Sequence, residues 1–171
     1  MTAGNIGTQY DRLPASADDR VVSDRPTREA VVSFFHERYG IPPDTFGEYS
    51  FWEKGSGKIW AFAGDAPSPI AVEALGIHVL RTNQRHWKPT TDAVQRFGRD
   101  ADTHVVALTR EQAIRFWRGE TQSIDASAGY VIVTHPIAGE QEPLGVGLSV
   151  RGELRSQIPK GRQRDFGDER A

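Results

Sequence analysis

A chain of 171 residues with 37% hydrophobic residues and 4 Trp suits one domain, or one domain with a small annex, and is able to bury a core. No apolar run approaches the ~18 residues that cross a membrane, and the N-terminus has no basic region followed by an apolar stretch. Cys is absent, which excludes disulfides, zinc–thiolate sites and cysteine nucleophiles, and a cytoplasmic location fits these features.

Residues 1–25 are polar, lack a hydrophobic period and read as a flexible tail. A helix is expected over residues 26–39. Asp24 is placed to cap it, Pro26 suits its first turn, and Val31, Phe35 and Tyr39 recur every four residues with Phe34 beside them. Gly40-Ile41-Pro42 stops it. Phe46 to Ala63 predicts a hairpin, with Tyr49 and Phe51 on one arm, Trp60 and Phe62 on the other, and Gly55-Ser56-Gly57 as the turn. The stretch from Asp65 to Pro69 breaks the pattern. A boundary is therefore expected near residue 70, between an annex over 26–70 and a second unit over 71–165, with 166–171 as a tail.

In the second unit a strand is expected from Ala74 to Leu80, then a short helix from Asp92 to Phe97 capped by Thr90 or Thr91. A strand from Thr103 to Leu108 follows. Thr109 begins a helix in which Gln112 completes a capping box. Strands from Tyr130 to Thr134, Leu144 to Val150 and Glu153 to Ile158 close the unit. This order predicts an α+β fold, a small mixed barrel rather than a parallel sheet.

Several motifs fail. Gly55-Ser56-Gly57-Lys58 has Trp52 and Ile59 where a phosphate-binding loop needs Gly and a hydroxyl, so it reads as a hairpin turn. Gly145-Val146-Gly147 has Val150 where a dinucleotide fingerprint needs its third Gly, and reads as glycines in a closely packed strand. His36, His78, His86, His104 and His135 form no metal-ligand spacing, and Asp100 and Asp102 suit a turn. With no catalytic constellation the chain is not expected to be an enzyme, and neither a cofactor nor a metal site is expected.

The formal charge of -2 hides a pattern. Residues 76–99 carry five basic groups against one acidic, and residues 145–164 again carry five against one, so two segments of net +4 interrupt an acidic chain. In the first, Arg81, Arg85, His86 and Lys88 bracket Trp87. Cations neutralise phosphates and an aromatic face stacks an unpaired base. Equally, Trp87 would plug the core while the charges solvate a loop. In the second, Arg155 and Gln157 share one face of a strand that runs into Pro159-Lys160-Gly161-Arg162, with Arg164 beyond. Alone it reads as a solvated edge strand.

Five short pieces in order carry a resemblance: Leu75-Gly76-Ile77-His78-Val79-Leu80 leading to Trp87-Lys88-Pro89-Thr90, then Phe116-Trp117-Arg118-Gly119-Glu120, Gly129-Tyr130-Val131-Ile132-Val133, Pro143-Leu144-Gly145-Val146-Gly147, and Ile158-Pro159-Lys160-Gly161-Arg162. Over residues 72–165, and more weakly 27–65, the chain resembles the PUA-like RNA-binding domain at the C-terminus of the NOL1/NOP2/Sun family of RNA cytosine-5 methyltransferases. It departs from that family in lacking the methyltransferase half, its S-adenosylmethionine fingerprint and its catalytic cysteines. The resemblance implies a small mixed pseudo-barrel of the PUA type, preceded by the helix and hairpin annex, that binds structured RNA such as rRNA or tRNA. The implied site is Arg81, Arg85, His86, Trp87, Lys88, Arg155, Lys160, Arg162 and Arg164. A stand-alone, monomeric protein of rRNA processing, tRNA modification or ribosome biogenesis follows, partnered by a separate RNA-modifying enzyme. Two alternatives stay open. One is a protein-interaction adaptor presenting Tyr49, Trp52 and Trp60 of the hairpin. The other is a small hydrolase whose pocket would use Arg81, Thr90 or Lys88.

Overall fold

The computed structural model describes residues 7–163. Within them, α1 spans Arg28–Tyr39, α2 Thr91–Phe97 and α3 Arg110–Trp117. The first sheet holds β1 (Asp11–Arg12), β2 (Tyr49–Glu53), β3 (Lys58–Ala63), β4 (Ile77–Arg81) and β5 (Lys88–Pro89), each antiparallel to the next in chain order. The second holds β6 (Val105–Ala107), β7 (Thr121–Ser123), β8 (Gly129–Ile137), β9 (Glu140–Val150) and β10 (Glu153–Ser156), in the order β6-β8-β9-β10-β7. Only β6 and β8 run parallel there. The protein is thus α+β, with a helix and hairpin ahead of a small mixed sheet. No helix among the described residues is long and apolar enough to cross a membrane.

Local chemistry accounts for the helix ends. Thr27, not Asp24, caps α1 by accepting the Ala30 N–H, because Asp24 has a φ of 65° and lies outside the capping position. Gly40 closes α1 in the left-handed conformation at φ 74°. Thr90 caps α2, and Thr109 with Gln112 forms a complete capping box on α3.

Two cores result. Val31, Phe35 and Tyr39 of α1 pack with Phe46, Phe51, Val79 and Leu80 of the first sheet side, with Val94 and Phe97 of α2, and with Ile132 and Val146 of the second sheet. The second core lies between α3 and the second sheet, around Phe116, Val131, Val133, Leu154 and Ile158. On β8 the alternation of strand side chains sends Ile132 to one core and its neighbours Val131 and Val133 to the other. Gly147 is required by that packing, since a Cβ there would stand 2.6 Å from Leu154 Cδ1.

Three expectations are corrected. Residues 10–25 are not a tail: Tyr10 is fully buried and bridges to Ile70, β1 pairs with β2, and buried Arg25 donates to Glu53 at 3.0 Å. A two-residue strand leaves no periodic signal, so only its long-range partners reveal it. The first sheet also crosses the boundary expected near residue 70, because β4 and β5 extend it and the α1 core includes α2 and the second sheet. Lastly, the hairpin presents no aromatic patch. Trp52 is fully buried beneath Arg12, whose guanidinium lies 4.9 Å from its ring, and Trp60 packs edge-on to Tyr10 at 5.5 Å.

Candidate nucleic-acid interface

Arg81 ends β4 and Lys88 begins β5, and the antiparallel register sets them directly opposite one another. The intervening loop is anchored by Thr82, whose N–H donates to the Gly57 carbonyl at 2.7 Å. Lys88 Nζ donates to Gln157 Oε1 at 2.9 Å and lies 5.6 Å from the Tyr130 ring centroid. Burial, and next the charge of Arg81, lower the Lys88 pKa from its ordinary value. The Lys88–Gln157 bond ties the first basic segment to the second. Beyond Gln157, Ile158 is buried, and the chain then passes α2, where Arg162 pairs with Asp92 at 2.7 Å.

The two segments thereby wall one open cleft of about 300 Å³, lined by Arg81, Lys88, Gln157 and Arg162 together with His78 and Thr90. The Thr90 hydroxyl donates to the His78 carbonyl at 2.6 Å and accepts the Ala93 N–H, so both its functions are committed to structure. His78 lies 5.1 Å from Trp60 between ring centroids. Its Nε2 and Trp60 Nε1 are the buried side-chain polar atoms that find no partner among the described residues. Burial, reinforced by Arg81, pushes the His78 pKa down to about 4.

A second cleft, of about 450 Å³, is lined in part by Tyr130, whose ring centroid lies 5.6 Å from Lys88 Nζ of the first. Phe34 and Arg38 of α1 form one wall, Arg85, His86 and Trp87 of the loop another, and Ala128, Gly129 and Tyr130 the third. Half-buried Trp87 lies 5.5 Å from Phe34 with the rings tilted by 47°. Arg38 donates to the Tyr130 carbonyl at 2.8 Å and to the Ala128 carbonyl at 3.2 Å. Gln84 bridges the loop to β8 by donating to the Tyr130 hydroxyl at 3.2 Å. Trp87 thus packs against the core and keeps part of its surface in the cleft.

Of the residues singled out in the sequence, Arg81, Lys88 and Arg162 meet in the first cleft and Arg85, His86 and Trp87 in the second. Arg155 and Lys160 are exposed and line neither. Arg155 sits on β10, which is an interior strand between β9 and β7 rather than an edge, and lies 3.8 Å from Glu153. Arg164 falls outside the described residues. Arg38, Tyr130 and Gln157 were not among the site residues expected. Tyr130 and Gln157 sat in recognised motifs or strands, and Arg38 carried no signal beyond its charge.

The family model described as the Methyltransferase RsmF PUA domain matches residues 103–164, spanning β6, α3 and β7 to β10. This chain carries a PUA-like domain. It resembles that of the Sun-family methyltransferases, and a PUA domain of a methyltransferase family supports RNA binding in general. A second family model, described as a family of unknown function (DUF7122), matches residues 1–76. Neither matched model is a methyltransferase domain. Residues 77–102, with β4, the basic loop, β5 and α2, lie between the two matched spans. No curated protein matches the chain.

Proposed function

We propose that the protein binds structured RNA, rRNA or tRNA, during RNA maturation, through the paired clefts beside its PUA-like domain. The observation that carries this is the joining of the two basic segments at Lys88 and Gln157, with Trp87 lining the second cleft. Arg81 and Arg85 form no ion pair among the described residues, so their charge is available to phosphates. The cysteine chemistry of the resembled methyltransferases has no residue in these 171 to carry it, so on this reading modification falls to a separate enzyme. The first cleft does gather Arg81, Lys88 and Thr90, the residues a hydrolase would use. With Thr90 committed as a helix cap, it offers cations for binding rather than a nucleophile paired with a base.

Titration of tRNA and rRNA fragments at several salt concentrations tests the proposal. Binding is expected to weaken linearly in log–log form as salt rises. The double variant Arg81→Glu with Arg85→Glu should flatten that slope by roughly two units. Equal binding by wild type and double variant at every salt concentration would overturn it.

A further inference from the structure

The second cleft differs in chemistry from the first. Its walls are aromatic, from Phe34, Trp87 and Tyr130, and its rim is cationic, from Arg38, Arg85 and His86, with no carboxylate among the lining residues. Its volume of about 450 Å³ falls within the ~300–1,000 Å³ of ordinary small-ligand clefts. Arg38 is held in place by backbone carbonyls rather than by an acid, so its charge is fixed in position without being neutralised. Aromatic walls beneath a cationic rim complement one ligand shape in RNA: an unpaired base with its own phosphate. A base inside a duplex has both faces covered by its neighbours and cannot meet Trp87.

We propose that this cleft receives a single unpaired nucleotide of the bound RNA, its base against Trp87 and Tyr130 and its phosphate at Arg85 and Arg38. Resting on the RNA-binding reading, the proposal adds a substrate feature and a role for the N-terminal segment. Phe34 and Arg38 belong to the span matched over 1–76, Ala128 to Tyr130 to the span matched over 103–164, and the loop to neither. The site is complete only where all three meet. Lys88 lines the first cleft and lies 5.6 Å from the Tyr130 ring of the second, so the strand leaving the nucleotide is led to Arg81 and Arg162 in the first.

Three hairpin RNAs of one stem sequence test this: one with a single bulged adenosine, one with an abasic residue at the bulge, and one fully paired. The full chain should bind the bulged hairpin about tenfold more tightly than either of the others, the expected worth of one stacked base. Trp87→Leu should bring all three to the same affinity. If that variant does not fold, as thermal melting will tell, the abasic comparison on the unaltered protein decides alone. Equal affinity of the wild-type chain for all three hairpins overturns the nucleotide cleft while leaving RNA binding in place. Failure to bind any hairpin, tRNA or rRNA fragment overturns the RNA reading and this proposal with it.

Discussion

The two basic segments carry the same net charge along the chain and meet different fates in the fold. In the first, a reversed loop sets Arg81 against Lys88, and although Arg99 pairs with Glu142 at 2.6 Å, the exposed cations Arg81 and Arg85 have no carboxylate partner among the described residues. In the second, Glu153 and Arg155 stand two residues apart on β10, so strand geometry puts them on one face, 3.8 Å apart. Arg162 faces Asp92 of α2 in the same way at 2.7 Å. Net charge per segment is therefore not the charge offered to a ligand. The nearest carboxylate in space decides, and that carboxylate can come from a distant part of the chain. Both pairs of the second segment are about half exposed and worth ~1 kcal/mol or less, so a phosphate is able to compete for Arg162.

This difference can be broken or sharpened by measurement. The largest effect should come from the first segment: Arg81→Glu with Arg85→Glu should weaken RNA affinity on the order of 100-fold near physiological salt, read by fluorescence anisotropy. Lys88→Ala removes one cation and the link to Gln157, and should weaken binding roughly tenfold in the same assay. Asp92→Asn acts in the opposite sense. By releasing Arg162 from its pair it should tighten binding about threefold, and a loss of affinity instead would show that Arg162 needs Asp92 for its position.

A smaller, separate effect concerns stability. His78 has its pKa lowered from 6.5 to about 4, so between those values the unfolded chain binds a proton that the folded one refuses. The associated stability is full above pH 6.5 and falls as pH drops towards 4. Melting curves should record a declining Tm across that window, and His78→Phe should flatten the decline. The smallest effect belongs to Arg155→Ala, which should leave RNA affinity within about twofold, because Arg155 is already paired and lines neither cleft. A tenfold loss there would restore the second segment to equal standing with the first.

The parts of the fold written in local signals were legible in advance. The four-residue recurrence of Val31, Phe35 and Tyr39 specifies α1, Thr109 with Gln112 specifies the start of α3, and Gly55 to Gly57 marks the hairpin turn. Each depends on residues a few positions apart, so the chain states them directly. Strands β1, β5 and β7 were missed because two or three residues carry no period, and their partners alone define them. The site divides along the same line. The sequence by itself determined that cations surround Trp87 and that a second basic segment exists. Only the tertiary structure decided that Gln157 reaches Lys88 across 69 residues, that Arg38 is held by Tyr130 across 92, and that Glu153 and Asp92 occupy Arg155 and Arg162 of the second segment. The physical reason is that a helix cap or a turn is a contest among neighbouring groups, whereas a binding surface is set by which distant groups the buried core brings within a few ångströms.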